Sequence, residues 1–393
     1  MPFAAALSQH PLATHAVGEV VGQVLDQIGG EPDAAIVFVS APFAGATEDI
    51  ARTIRATLRP GALIGATATS VLGGAREVEQ GPAISLFAMR FGPARRFGSP
   101  PLATAVHLPL AAGSASHVEA AARTIEASEA PAAGGTLVLL ADPFSFAVES
   151  FLDDLGIQAS GLTVVGGLAS AATAAGGNLL VADGVVARSG AVGLLLPAGI
   201  GATPIVSQGC RPVGEPLVVT RADGTLIEEI AGQPALDRLL AQAEEASPTD
   251  RNRMARGLHI GLVIDERKPE FDRGDFLIRS VLGADRTRRS VAVSAEAPVG
   301  TTVQFQVRDA ASADEDLRDL LSDAGGDAAL VFTCTGRGSS LFAEPHHDAT
   351  VVSQHLEGGP VAGMACAGEI GPVSGRHFVH AMTASVLLFD DVA

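Results

Sequence analysis

Apolar residues along the chain fall into two alternating rhythms. Val17, Val20, Val21, Val24, Leu25 and Ile28 recur at helical spacing, and Gly29-Gly30 ends the run. An unbroken apolar strand, Ala34–Ser40, comes next. Thr47 then stands as an N-cap with Glu48 and Asp49 in the first turn, opening a helix that buries Ile50, Ile54 and Leu58 and stops at Arg59-Pro60-Gly61. A short strand (Ala62–Gly65), a glycine-rich loop and a strand over Ile84–Arg90 complete the series. The same order returns as Thr136–Ala141, a helix face of Phe151, Leu152 and Leu155, a short strand Leu162–Val165 and a closing strand Ala191–Leu196. It returns again as Ala328–Cys334, a helix around Val351–Leu356, a strand at Pro360–Gly363 and a closing strand Thr383–Phe389. The junctions LIGATATS (63–70), VVGGLASA (164–171) and VAGMACAG (361–368) align on a glycine followed by small residues.

This pattern predicts an α/β protein of repeated strand–helix–strand–loop–strand units, forming mixed sheets covered by helices, in two packed halves. The segment between the second and third units differs. It has two sharp hairpin signals, Asp183-Gly184 and Asp223-Gly224, each flanked by alternating apolar residues. A helix is expected over Gln233–Ala246, with strands at Leu258–Ile264 and Ser290–Ser294. Ser312 and Glu315 read as a capping box for a helix containing Leu317, Leu320 and Leu321. Arg267–Gly274 reads as an exposed charged loop. The domain boundary is expected near residue 219, giving domains 1–219 and 220–393.

Composition narrows the possible partners. Of 393 residues, 47% are hydrophobic and 18% charged, which excludes global disorder. A net charge of −18 opposes a dedicated nucleic-acid or anionic-membrane binder. Lys268 is the one lysine, and there is no Trp or Tyr. Cys210, Cys334 and Cys366 are too few and too scattered for a disulfide framework, and the N-terminus lacks the basic and apolar regions of a secretion signal. The uncharged stretches Leu155–Ala182 and Ser189–Cys210 are broken by Gly, Pro, Ser and Thr and read as buried strands rather than membrane spans. The expectation is a cytoplasmic protein with no membrane insertion. Walker, dinucleotide-binding, nucleophile-elbow, CxxC, HExxH and CxxxxxR patterns are absent.

The polar chemistry is concentrated in the last 60 residues. Cys334 ends a buried strand and leads into Gly336-Arg337-Gly338, where backbone N–H groups and a guanidinium can converge on an anion. Glu369, between Gly368 and Ile370-Gly371, offers a carboxylate for an amino group or hydroxyl. His377, His380 and Thr383 follow. Histidines are dense in 346–380, but their spacing fits no finger, so no metal and no cofactor are expected. Upstream, Cys210 and Arg211 echo the 334/337 pair.

SQGCRPVGEPLVVT (207–220), GQPAL (232–236), ALVFTCTGRGSSLF (329–342) and VAGMACAGEIGPV (361–373) resemble the FIST family, which has paired FIST-N and FIST-C domains. The resemblance implies an intracellular sensory module for small ligands such as amino acids or their derivatives. It also implies output through an unidentified signalling protein, since this chain shows no fused output domain. Cys334, Gly336, Arg337, Gly368, Glu369 and Gly371 fall on family motif positions, as do Gly209, Cys210, Pro212 and Gly214. Many members carry an aromatic before the Gly-Glu where Cys366-Ala367 stand here.

The reading this favours is a non-enzymatic binding protein for a small zwitterion. Arg337 would pair with its carboxylate and Glu369 with its amino group. Backbone N–H groups near Gly336 and Gly363 would complete the pocket, trimmed by Thr383 or His380, with Cys210 and Arg211 as further candidates. Two alternatives stay open. One is a thiol enzyme with Cys334 as nucleophile and His377 or His380 as base. The other is a protein-interaction adaptor scaffold, as in members that follow an F-box.

Overall fold

The computed structural model describes residues 2–91, 102–109, 134–158 and 161–390. These form an α/β fold in two compact units. One comprises residues 1–206, 318–379 and 383–393; the other comprises 207–317 and 380–382.

The first unit is built from the repeat. Each copy has a first strand (Ala34–Ser40, Thr136–Ala141, Ala328–Cys334) and a second strand parallel to it (Ala62–Ala68, Thr163–Leu168, Val361–Cys366). A helix joins the two (Thr47–Thr57, Val148–Gln158, His347–His355). A closing strand returns antiparallel on the other side of the first (Ile84–Met89, Ala191–Leu196, Thr383–Phe389). A further strand flanks each closing strand: Phe3–Ser8, Thr104–Leu108 and Ala202–Gln208. Between second and closing strands lies a hairpin, and each hairpin leaves its own copy. Val71–Gly73 with Arg76–Val78 extends the third sheet, Leu180–Ala182 with Val185–Ala187 extends the first, and Glu369–Val373 with Arg376–His380 extends the second. Three equivalent six-stranded sheets result, linked in a closed cycle of exchanged hairpins.

The register explains the junction glycines. Gly65, Gly166 and Gly363 face Val37, Leu139 and Val331 across the parallel pairs. A Cβ there would lie 2.4, 1.9 and 1.9 Å from those carbonyl oxygens, so the close approach of the strands admits only glycine. The same register superposes side-chain bonds: Ser85 Oγ donates to Leu72 O at 2.6 Å, and its counterpart Ser385 Oγ to Ile370 O at 2.9 Å.

Alternation along the first strands sends Ile36 and Phe38, Val138 and Leu140, and Leu330 and Phe332 into one shared core. Val37 and Val39 face the helices Ala13–Ile28 and Thr47–Thr57 instead. Both faces are covered, which is why these strands read as continuous apolar runs. The rings of Phe38 and Phe332 meet edge-on with centroids 6.0 Å apart, joining the first and third sheets. Burying each such ring contributes about 2–3 kcal/mol.

The second unit is an antiparallel barrel. Its strands run in the order Cys210–Asp223, Thr302–Arg308, Leu258–Val263, Phe276–Asp285, Ser290–Val293 and Leu226–Ile230, and the last pairs back onto the first. This pairing closes the sheet, and the two-residue strand Gln233–Pro234 adds onto Leu226–Ile230. Val219, Ile227, Ile260, Val291 and Phe305 fill it.

Several expected boundaries shift. Thr47 lies inside its helix and donates to Ala44 O, because a 3₁₀ turn over Ala41–Ala46 runs straight into the helix. Ser312 also lies inside its helix, Ala310–Ser322; Asp309 Oδ1 takes the amides of Ala311 and Ser312. Gln233–Pro234 is a short strand, and the helix begins at Ala235. No helix among the described residues is long and apolar enough to cross a membrane.

Candidate functional site

The repeat itself locates the unusual chemistry. Ser40, Asp142 and Cys334 occupy equivalent positions at the ends of the first strands. Ser40 Oγ accepts from Ala83 N at 2.7 Å. Asp142 accepts from Asn178 Nδ2 at 2.9 Å and Ser145 Oγ at 2.6 Å. Both are thus satisfied locally. In the third copy a thiol stands there instead. One residue before the hairpin position facing the junction glycine, the copies carry Val71, Leu180 and Glu369. Two aliphatic side chains therefore correspond to one carboxyl.

Arg337 is carried by the turn after Cys334, where its own N–H donates to Cys334 O at 2.9 Å. Its side chain is fully buried. Nε and Nη2 fork onto Asp348 Oδ2 and Oδ1 at 2.7 and 2.8 Å, and Cζ lies 5.2 Å from the Phe342 ring centroid. Asp348, in the first turn of helix His347–His355, also accepts from Thr333 Oγ1 at 2.6 Å and lies 3.0 Å from His347 Nδ1. Arg337 and these donors hold its carboxyl far below the usual range, against the opposing effect of burial. The fork expected for a ligand carboxylate is therefore occupied by Asp348, and Nη1 is left buried without a hydrogen-bond partner.

Glu369 is fully buried. Its Oε2 accepts from Thr383 N at 3.0 Å and Thr383 Oγ1 at 2.8 Å, while Oε1 has no hydrogen-bond partner. Burial raises its pKa to about 8, although Thr383, Arg337 and the Cys334 thiol all favour the charged form. Thr383, expected to trim the ligand, holds this carboxyl instead. Gly336 N donates to Cys334 Sγ at 3.4 Å. Gly363 lies inside the sheet between Val331 and Leu72, so its part is to let strands approach, not to line a pocket.

A pocket of about 260 Å³ opens beside Cys334 and Arg337, walled also by Thr69, Ser70, Glu77, Glu79 and Gly338. It falls below the ~300–1,000 Å³ of drug-sized sites and suits a small metabolite. The glutamates arrive on the first copy's hairpin. Glu77 Oε1 accepts from Ala349 N at 2.9 Å, capping helix His347–His355, and Glu77 N donates to His346 Nδ1 at 3.1 Å. Burial, then the charge of Asp348, raises the Glu77 pKa to about 7. Glu79 accepts from Ser339 N at 2.8 Å and from Ser339 Oγ. Sequence reasoning missed both. The available signal was an acidic i, i+2 pair, Glu77-Val78-Glu79, just after a Gly73-Gly74 turn.

The remaining candidates are not among the residues that wall this pocket. Cys210, Arg211 and His380 belong to the second compact unit. Cys210 is buried at the start of a barrel strand. Arg211 Nε donates to Asp309 at 2.7 Å and Nη2 to Asp250; Arg253 reaches the same two carboxylates at 3.0 and 3.1 Å. His377 is half-buried in the third hairpin, and burial lowers its pKa. No group of three metal-ligating side chains is present among the described residues.

The FIST N domain matches residues 33–233, and the FIST C domain matches residues 234–372. Uncharacterized protein Rv0628c from Mycobacterium tuberculosis (strain ATCC 25618 / H37Rv) is 37% identical over 398 residues, covering 100% of each chain. Uncharacterized protein Mb0898c from Mycobacterium bovis (strain ATCC BAA-935 / AF2122/97) is 37% identical over 395 residues, covering 97% of each.

Proposed function

Because the chain belongs to the FIST family, with its N and C domains together, we propose that it is a cytoplasmic receptor whose third-copy pocket binds a small zwitterion of the amino-acid class. FIST domains are sensory domains of signal-transduction proteins. The observation that carries the ligand reading is Arg337: a residue of the pocket wall whose guanidinium is fully buried behind it, with two nitrogens fixed by Asp348 and Nη1 unpartnered. A buried donor without an acceptor costs about 1–3 kcal/mol, and a ligand carboxylate oxygen on Nη1 removes that cost. The amino group is assigned to Glu77 rather than Glu369. Glu77 is on the pocket wall with one oxygen committed to Ala349 N, whereas Glu369 is not among the wall residues. An arriving ammonium favours ionised Glu77, so binding near neutral pH releases protons. An output partner reads the liganded state.

Titration calorimetry with a panel of amino acids tests this. A hit is expected whose heat varies with buffer ionisation enthalpy. Glu77→Gln should weaken it about tenfold or more, through loss of one charge-assisted bond. The reading fails if no member of the panel binds, or if Glu77→Gln binds like the parent chain.

A further inference from the structure

Cys334 and Cys366 are direct partners in the parallel ladder between Ala328–Cys334 and Val361–Cys366. Thr335 N donates to Cys366 O at 3.0 Å, so the strands stay tightly paired to their ends. The two thiols also share a face. Thr333 turns toward helix His347–His355 to reach Asp348, whereas Phe332, Met364 and Cys366 belong to the core on the opposite side, where alternation also places Cys334. Neighbouring strands run about 4.8 Å apart, within the ~4.4–6.8 Å Cα separation that a disulfide spans. The two cysteines are nonetheless both reduced.

Their surroundings are unequal. Cys334 borders the pocket, while Cys366 is wholly enclosed, its sulfur filling the space over Gly167 where a Cβ would come within 2.2 Å. Cys334 Sγ accepts the Gly336 amide at 3.4 Å and interacts with the Arg337 charge. The Glu369 carboxyl lies against the same thiol. One sulfur is thus reachable from the pocket, and the other is sheltered beside it.

We propose that Cys334 and Cys366 form a hydroperoxide-reactive pair, Cys334 being the attacking thiol and Cys366 the resolving one. In the first step the Cys334 sulfur attacks the peroxide O–O bond. An S–O bond forms and the O–O bond breaks. Sulfur loses two electrons to the peroxide, and the departing oxygen takes up the thiol proton to leave as water or an alcohol. In the second step the Cys366 sulfur attacks the Cys334 sulfenic acid. An S–S bond forms, the S–O bond breaks, and water departs with the Cys366 proton. Cys210 is not a member of this ladder; its strand partner is Arg308.

The test exposes the folded full-length chain to one equivalent of hydrogen peroxide, followed by intact-mass and peptide mapping. The parent chain and Cys210→Ser should each lose two hydrogens, with the peptides bearing residues 334 and 366 cross-linked. Cys366→Ala should stop at a sulfenic acid on Cys334 that dimedone captures. Alanine suits that position because Ala68 and Ala169 are its equivalents in the other copies. The proposal is overturned if Cys210→Ser keeps both thiols under conditions that oxidise glutathione, or if the cross-link includes Cys210. These outcomes are independent of whether any amino acid binds.

Discussion

Replacing Asp348 with asparagine tests whether the Arg337–Asp348 pair organises the pocket. The carboxylate takes Arg337 Nε and Thr333 Oγ1 on Oδ2, and Arg337 Nη2 on Oδ1. Asparagine is nearly isosteric, so the substitution leaves no cavity. It removes the charge and turns one acceptor into a donor that faces donors. The guanidinium stays fully enclosed, with Nη1 already unpartnered. Stranding one member of a buried ion pair costs about 3–5 kcal/mol. The chain has no Trp or Tyr for fluorescence and folds as two compact units, so a single melting midpoint is a poor gauge. Amide hydrogen exchange resolves the effect. Protection across Ala328–Cys334 should fall by roughly two to three and a half powers of ten, at about 1.4 kcal/mol per tenfold. Barrel amides in Leu258–Val263 should be unchanged. Removing the whole polar cluster as Thr333→Val, Arg337→Met and Asp348→Leu should restore most of the protection, since apolar replacement of a complete buried pair is often neutral or stabilising. A fall of less than about 1 kcal/mol in Asp348→Asn would refute the reasoning, because Arg337 would then have to be solvated or paired elsewhere.

Three further outcomes follow from particular groups. Glu369 holds its proton more tightly when folded, at about 8 against an ordinary 4.5, so its share of stability is complete below pH 4.5 and is lost as pH rises through 8. Glu369→Gln should therefore match the parent at pH 4.5 and exceed it at pH 8.5 in the amide-exchange protection of Thr383–Phe389, corrected for intrinsic exchange; an equal difference at both pH values would contradict this. Gly363→Ala drives a Cβ to 1.9 Å from Val331 O and should cost about 3 kcal/mol or more, whereas Gly184→Ala, with nothing within 4 Å, should be nearly neutral in urea unfolding. Asp309→Ala removes a helix cap and two arginine contacts, so it should lower protection by about 2–3 kcal/mol in the barrel unit and leave the sheets of the repeat unit untouched.

What the sequence made legible was local. Helical spacing located Ala13–Ile28 and its glycine stop, where Gly29 takes φ +68°. Asp183-Gly184 and Asp223-Gly224 marked true hairpins. The junction glycines marked the repeat because a close strand contact demands glycine at each. The remainder depended on partners distant in the chain. Nothing near Val71–Val78 signals that it extends a sheet containing Val361–Cys366, so Glu77 could not be placed in the pocket. Arg337 stood out in the sequence as a candidate because glycines flank it at the end of a buried strand. Its engagement by Asp348 was not legible, since a histidine-flanked aspartate opening a short helix reads as an ordinary cap. Helix Pro248–Arg256 went unseen because Met254 is its one buried residue and no apolar stripe exists to detect. Phe3–Ser8 was missed as an edge strand because its alanines carry little strand preference.

The repeat supplies an internal control for separating folding from function. Three copies reach the same sheet, with the same register and the same glycine contact. The first two do so with Val71 and Leu180 where the third buries Glu369, and with Ala68 and Ala169 where it places Cys366. The architecture therefore does not require a carboxyl or a thiol at these positions. An enclosed carboxyl with Oε1 unpartnered and a buried guanidinium with Nη1 unpartnered each oppose folding by about 1–3 kcal/mol. Strand pairing alone cannot account for two such groups in one copy out of three. Both groups lie next to Cys334, which borders the pocket to which the first copy contributes Glu77 and Glu79, and the proposed recognition at that pocket would account for the asymmetry.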